Sequence, residues 1–74
     1  MWLLYKTDNQ HSYASENLIA VCDSKHMALS ILEANHGFKL IGDDYYNFLS
    51  INQTQNLEED YEYVVREIEI NQQL

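Results

Sequence analysis

Asp43-Asp44-Tyr45-Tyr46-Asn47-Phe48-Leu49-Ser50-Ile51 is the stretch on which the fold of this chain turns. Tyr45, Phe48 and Leu49 stand at i, i+3 and i+4, one face of a helix, and Asp43-Asp44 suits the positive end of a helix dipole. Tyrosine, phenylalanine and isoleucine also favour strands, but strict alternation fails: Asn47 breaks one face and Ser50 the other. The spacing favours a short second helix, with a strand as the alternative.

Upstream, residues 25–36 have a clearer helical pattern. Met27, Ile31 and Ala34 fall at i, i+4 and i+7, with Ala28 and Leu32 beside them. Asp23-Ser24 offers a capping oxygen, Gly37 suits the left-handed residue after the helix, and Phe38 is expected to pack back on the last turn. Before the cap, Trp2-Leu3-Leu4-Tyr5-Lys6-Thr7 and Leu18-Ile19-Ala20-Val21-Cys22 are nearly continuous apolar runs, as in strands covered on both faces or lying centrally. The nine residues between them, Asp8 to Glu16, form a polar loop without periodicity, longer than the usual hairpin connection.

Downstream, Asn52 to Asp60 is a polar, acidic loop, and Tyr61 to Ile70 reads as a closing strand. Val64, Ile68 and Ile70 share one parity; Tyr61, Tyr63, Val65, Glu67 and Glu69 share the other, which turns from aromatic to acidic. The order β-β-α-α-β predicts one α+β domain over residues 1–74: a three-stranded, mainly antiparallel sheet with one or two helices on one face. Were 43–51 a strand, the order would be β-β-α-β-β. With no proline and few lysines to blunt the two sheet edges, edge-to-edge homodimerisation is open to this chain.

Charge narrows the function classes. Twelve Asp and Glu stand against four Lys and Arg, and the formal net of −8 divides into −2 over residues 1–37 and −6 over residues 38–74. Such a surface repels phosphate backbones and steers towards basic partners, which excludes direct nucleic-acid binding. The chain is still no disordered tail, because 46% of it is hydrophobic. The lone Cys22 cannot form an internal disulfide, Met1 to Tyr5 is too short for a signal peptide, and no apolar run approaches a membrane span. A cytoplasmic protein is the expectation.

Catalytic chemistry finds no footing. His11, His26 and His36 lack metal-ligand spacing, and Cys22 with His26 straddles a strand-to-helix boundary without a third ligand, so neither metal nor cofactor is expected. Cys22 reads as a small core residue. His36 beside Gly37 suits a helix C-terminus. Paired carboxylates abound, but in polar surroundings that keep them solvated rather than poised for acid–base work. The expectation is a protein without enzymatic activity.

Two surfaces remain. One is acidic and aromatic: Glu58, Glu59, Asp60, Tyr61, Glu62 and Tyr63, joined by Asp43, Asp44 and Tyr45 with Tyr46 beside them. Carboxylates accept bidentate arginines, and tyrosines give contact area at low entropic cost. The other is the loop Asn9-Gln10-His11-Ser12-Tyr13-Ala14-Ser15, with Gln53-Thr54-Gln55 as its expected neighbour.

The opening Trp-Leu-Leu-Tyr strand, the Asn-x-x-His-Ser-Tyr-Ala-Ser loop and Gln53-Thr54-Gln55 before a final acidic strand resemble small uncharacterised proteins of phages and prophages. The resemblance implies an inhibitor of a host or defence protein, of the anti-CRISPR kind that occupies nucleic-acid channels, and transfers no residue role. The expected function is an acidic protein-binding module that occupies the basic nucleic-acid groove of such a partner. The alternative is an assembly module that homodimerises through a sheet edge or its aromatic face.

Overall fold

The computed structural model describes residues 1–55 and 57–69. Strand β1 (Trp2–Asp8) and strand β2 (Asn17–Cys22) are followed by helix α1 (Lys25–His36), helix α2 (Gly42–Ile51) and strand β3 (Tyr61–Glu67), with a 3-10 turn at Tyr13–Ser15. The three strands form one antiparallel sheet in the order β2-β1-β3. This is the expected α+β domain with 43–51 helical, and the five-element order with a fourth strand in that place does not occur.

Helix α1 forms where its caps stand. Ser24, extended at φ −144°, accepts from the Met27 amide, and Gly37 takes φ 92° while its N–H reaches the Glu33 carbonyl. The buried stripe, however, is Ala28, Leu29 and Leu32, while Met27 and Ala34 are exposed. The expected apolar face is thus rotated, because the stripe through Leu29 is the one that meets the sheet. Phe38 does not pack back either. It is 75% exposed, and Leu40 enters the core in its place, its N–H held by Glu33 Oε2 at 2.9 Å.

Helix α2 has no side-chain cap; Asp43 and Asp44 in its first turn supply the negative charge that an uncapped N-terminus favours. Phe48 is its buried anchor. Lys25 Nζ donates to the Leu49 carbonyl at 2.9 Å, which ties the end of α2 to the start of α1.

The core lies between helices and sheet. Leu4, Cys22, Tyr63 and Val65 meet Ala28, Leu29, Leu32, Leu40 and Phe48 there. β1 is the central strand, as its apolar run implies. β2 is an edge strand, and Leu18 and Val21 on it remain about half exposed, so the expectation that its run is covered on both faces fails. A bulge interrupts its register with β1, Leu4 facing Ala20 and Tyr5 facing Leu18. The β3 edge is covered: the Val65 N–H donates to the Asn52 carbonyl at 2.8 Å, the Thr54 N–H donates to the Tyr63 carbonyl at 2.9 Å, and Gln53 bridges Val64. β3 itself ends at Glu67, three residues before the expected limit, and Ile70 lies outside the described residues. Ile68 instead exchanges backbone bonds with Met1.

Candidate functional site

One stretch of the acidic surface lies at the entry to β3. Glu58, Glu59 and Asp60 form the turn that leads into β3, and all three are exposed. At the same end, His36 at the close of α1 touches Tyr61 at the start of β3, its Nδ1 lying 2.6 Å from the Tyr61 hydroxyl. Asp43 is exposed and Asp44 half-buried in the first turn of α2. Tyr45 is 41% and Tyr46 69% exposed on the same helix.

Two of the nine expected contact residues leave the surface. Tyr63 is fully buried and donates its hydroxyl to Asn35 Oδ1 at 2.6 Å. Glu62 is only 2% exposed. Its Oε1 accepts the Thr54 hydroxyl at 2.6 Å and its Oε2 the Leu57 N–H at 3.3 Å. The same Thr54 oxygen accepts the Tyr63 N–H at 2.9 Å, so one hydroxyl ties Glu62 to the β3 backbone. Glu62 is structural support, and the solvated cluster is the run before it. Nothing in the acidic run distinguishes Glu62 by composition; its alternation with Tyr61 and Tyr63 points to the opposite sheet face, but burial there comes from Thr54, eight residues away.

The turn above this support is held at both ends. Leu57 packs against the core and is bonded through its amide to Glu62. Tyr61 is clamped by three neighbours: Lys6 Nζ lies 4.1 Å from its ring centroid, and His36 and Tyr63 meet it edge-on at 5.6 and 5.7 Å. Burial first, then the carboxylates of Glu59, Asp60 and Glu62, push the Tyr61 hydroxyl above the usual phenol range. The phenol stays protonated. Burial also pushes Tyr63 up to about 12. Between these anchors Glu58 adopts φ 61°, in the left-handed region that favours glycine.

The second surface is wired to itself. Asp8 Oδ1 accepts the amides of Gln10 and Ser12, each at 3.0 Å, and Ser15 Oγ accepts the Asp8 amide at 2.9 Å while donating to the Ser12 carbonyl at 2.7 Å. These bonds, the Ser12 amide foremost, hold the Asp8 carboxyl below its usual range. His11 Nε2 lies 2.7 Å from the Thr54 carbonyl; a carbonyl can only accept, so that nitrogen carries the proton. Gln53-Thr54-Gln55 is therefore the neighbour of this loop, as expected from the sequence. With its polar groups engaged in its own turns, the loop serves to brace Thr54.

Chemistry of other kinds gains little. Among the described residues no group of three or more His, Cys, Asp or Glu is arranged to hold a metal ion, and no helix is long and apolar enough to cross a membrane. Cys22 is 1% exposed, and burial, then Asp23, pushes its thiol up, the reverse of an activated nucleophile. A shallow groove of about 460 Å³ runs along the outer side of α1 between Ser30, Glu33 and Phe38, with Lys39 at its rim. No family model, curated protein or solved structure matches this chain.

Proposed function

We propose that this chain is a non-enzymatic protein-binding module whose acidic end occupies a basic groove of its partner, in the manner of a phage-type inhibitor that displaces nucleic acid in the host cytoplasm. The observation that carries the reading is the turn Glu58-Glu59-Asp60. Three consecutive exposed carboxylates sit on a backbone fixed by Leu57, Glu62 and Tyr61, and Glu58 stands where glycine would be less strained. An acidic side chain kept in a strained conformation points to use of its charge.

The test is a nuclease-treated pull-down from bacterial lysate, eluted with rising salt, followed by titration against the nucleic-acid-binding protein recovered. Exposed charge pairs are screened over about 10 Å at 0.1 M salt, so moderate salt should release the partner. The triple reversal Glu58→Lys, Glu59→Lys, Asp60→Lys should abolish binding and leave far-UV circular dichroism unchanged. Glu62 is excluded from the set, since a lysine there would break the buried network. Glu58→Gly should weaken binding while leaving stability equal or raised by up to about 1 kcal/mol. Full affinity in the triple variant would refute the proposal.

A further inference from the structure

We infer, on the footing that the acidic turn occupies a basic groove, that Phe38 enters the same groove in the place of an unstacked base. The partner is then a protein that binds single-stranded nucleic acid. Phe38 is 75% exposed, and the backbone on both sides of it is fixed. The Gly37 N–H donates to the Glu33 carbonyl and the Leu40 N–H to Glu33 Oε2, each at 2.9 Å, while the Leu40 side chain is in the core. A phenyl ring held in water on an ordered backbone forgoes burial, and aromatic rings in that position are the anchors of protein interfaces.

Ring contacts tie Phe38 to the turn. Its ring meets His36 edge-on at 5.8 Å, His36 meets Tyr61 at 5.6 Å, and Tyr61 directly follows Glu58-Glu59-Asp60. After burial, the carboxylates of Glu59 and Asp60 are among the charges that push the Tyr61 hydroxyl up, so their field reaches this ring cluster. Glu33 and Lys39 both line the shallow groove beside Phe38 and offset each other, which leaves the turn as the charge that selects a basic partner. Carboxylates beside a bare ring present what a single strand presents, phosphates beside an unstacked base. A duplex keeps its bases stacked inside, so a groove shaped for duplex offers the ring no platform. Grooves for single strands combine cations along the backbone with aromatic side chains on which bases stack. A phenyl ring meets such a side chain offset-stacked or edge-on.

Bacterial lysate is loaded in parallel on single-stranded and double-stranded DNA cellulose, and each column is developed with the full chain. The wild type should release a protein from the single-stranded column. In displacement of fluorescein-labelled oligothymidine from that protein, Phe38→Ala should be about tenfold weaker, the worth of one base stacked on an aromatic side chain. Phe38→Trp should match the wild type, whereas Phe38→Leu, apolar but not flat, should stay weak. Val21→Ala, a half-exposed apolar position on the far edge of the sheet, should change nothing. Circular dichroism should be unaltered in all four. Release confined to the double-stranded column, or no release, would overturn the inference, and so would full activity in Phe38→Leu. Full affinity in Phe38→Ala would also overturn it, and if the triple lysine reversal of Glu58, Glu59 and Asp60 still abolished binding, the acidic turn would stand without the ring. Full affinity in that triple variant would overturn both.

Discussion

Replacing Thr54 with valine tests whether the acidic end rests on the buried network beneath it. Thr54 is fully buried, donates its hydroxyl to Glu62 and accepts the Tyr63 amide. Valine keeps the volume but deletes both bonds, leaving a carboxyl oxygen short of a donor and a backbone N–H without that acceptor. Two net bonds of about 1 kcal/mol each, with the added cost of an amide left unpaired in the interior, amount to about 3 kcal/mol. A domain of this length has a total stability of about 4 to 11 kcal/mol, so the loss is a large share. Thermal unfolding followed by circular dichroism, with Trp2 fluorescence in urea as a second probe, should show a fall in Tm of about 12 °C or more. Thr54→Ser keeps the hydroxyl and removes one methyl, and should cost only about 0.8 kcal/mol. If valine and serine destabilise equally, or if valine costs under about 1 kcal/mol, the hydroxyl relay is not what holds this end together.

The remaining predictions concern pH. Tyr63 is protonated in the fold up to about 12, and Tyr61 is raised as well. A raised folded value means stability present below the ordinary phenol value near 10 and lost as pH climbs through 12, so urea midpoints should fall over that range. Tyr63→Phe should flatten the fall. On the acid side, the Arg66 guanidinium bonded to Glu16 holds that carboxyl below its ordinary value of 4.5, and Asp8 lies below 3.8. Depressed values mean stability present above the ordinary range and lost as pH drops through it. Urea midpoints should therefore decline from about pH 5 downwards, and less steeply in Arg66→Ala. A flat acid profile in the wild type would refute the assignment.

Elements whose ends are marked by local chemistry are legible in the sequence. Ser24 and Gly37 bracket α1 because a capping oxygen and a left-handed residue are needed at those points whatever surrounds them. The same holds for α2, where the i, i+3, i+4 spacing of Tyr45, Phe48 and Leu49 outweighs the strand preference of single residues. Facing is not legible. Around α1 the stripes through Met27 and through Leu29 are both apolar, and only the position of the sheet decides between them. β3 presents the same ambiguity, with Val64 on one parity and Tyr63 and Val65 on the other, all buried. In the candidate site, exposure of Glu58 to Asp60 follows from composition, but the withdrawal of Glu62 depends on Thr54 arriving from a covering segment. Long-range pairing of this kind leaves no periodic trace.

The burial of Glu62 bears on how the acidic turn works. A flexible run of carboxylates would lose ordering entropy each time it entered a groove, and exposed pairs return little to offset it. Here the turn is already ordered: Glu62 holds Leu57 on one side, and the ring cluster of Lys6, His36 and Tyr63 holds Tyr61 on the other. Only the side chains of Glu58, Glu59 and Asp60 remain to be fixed on binding.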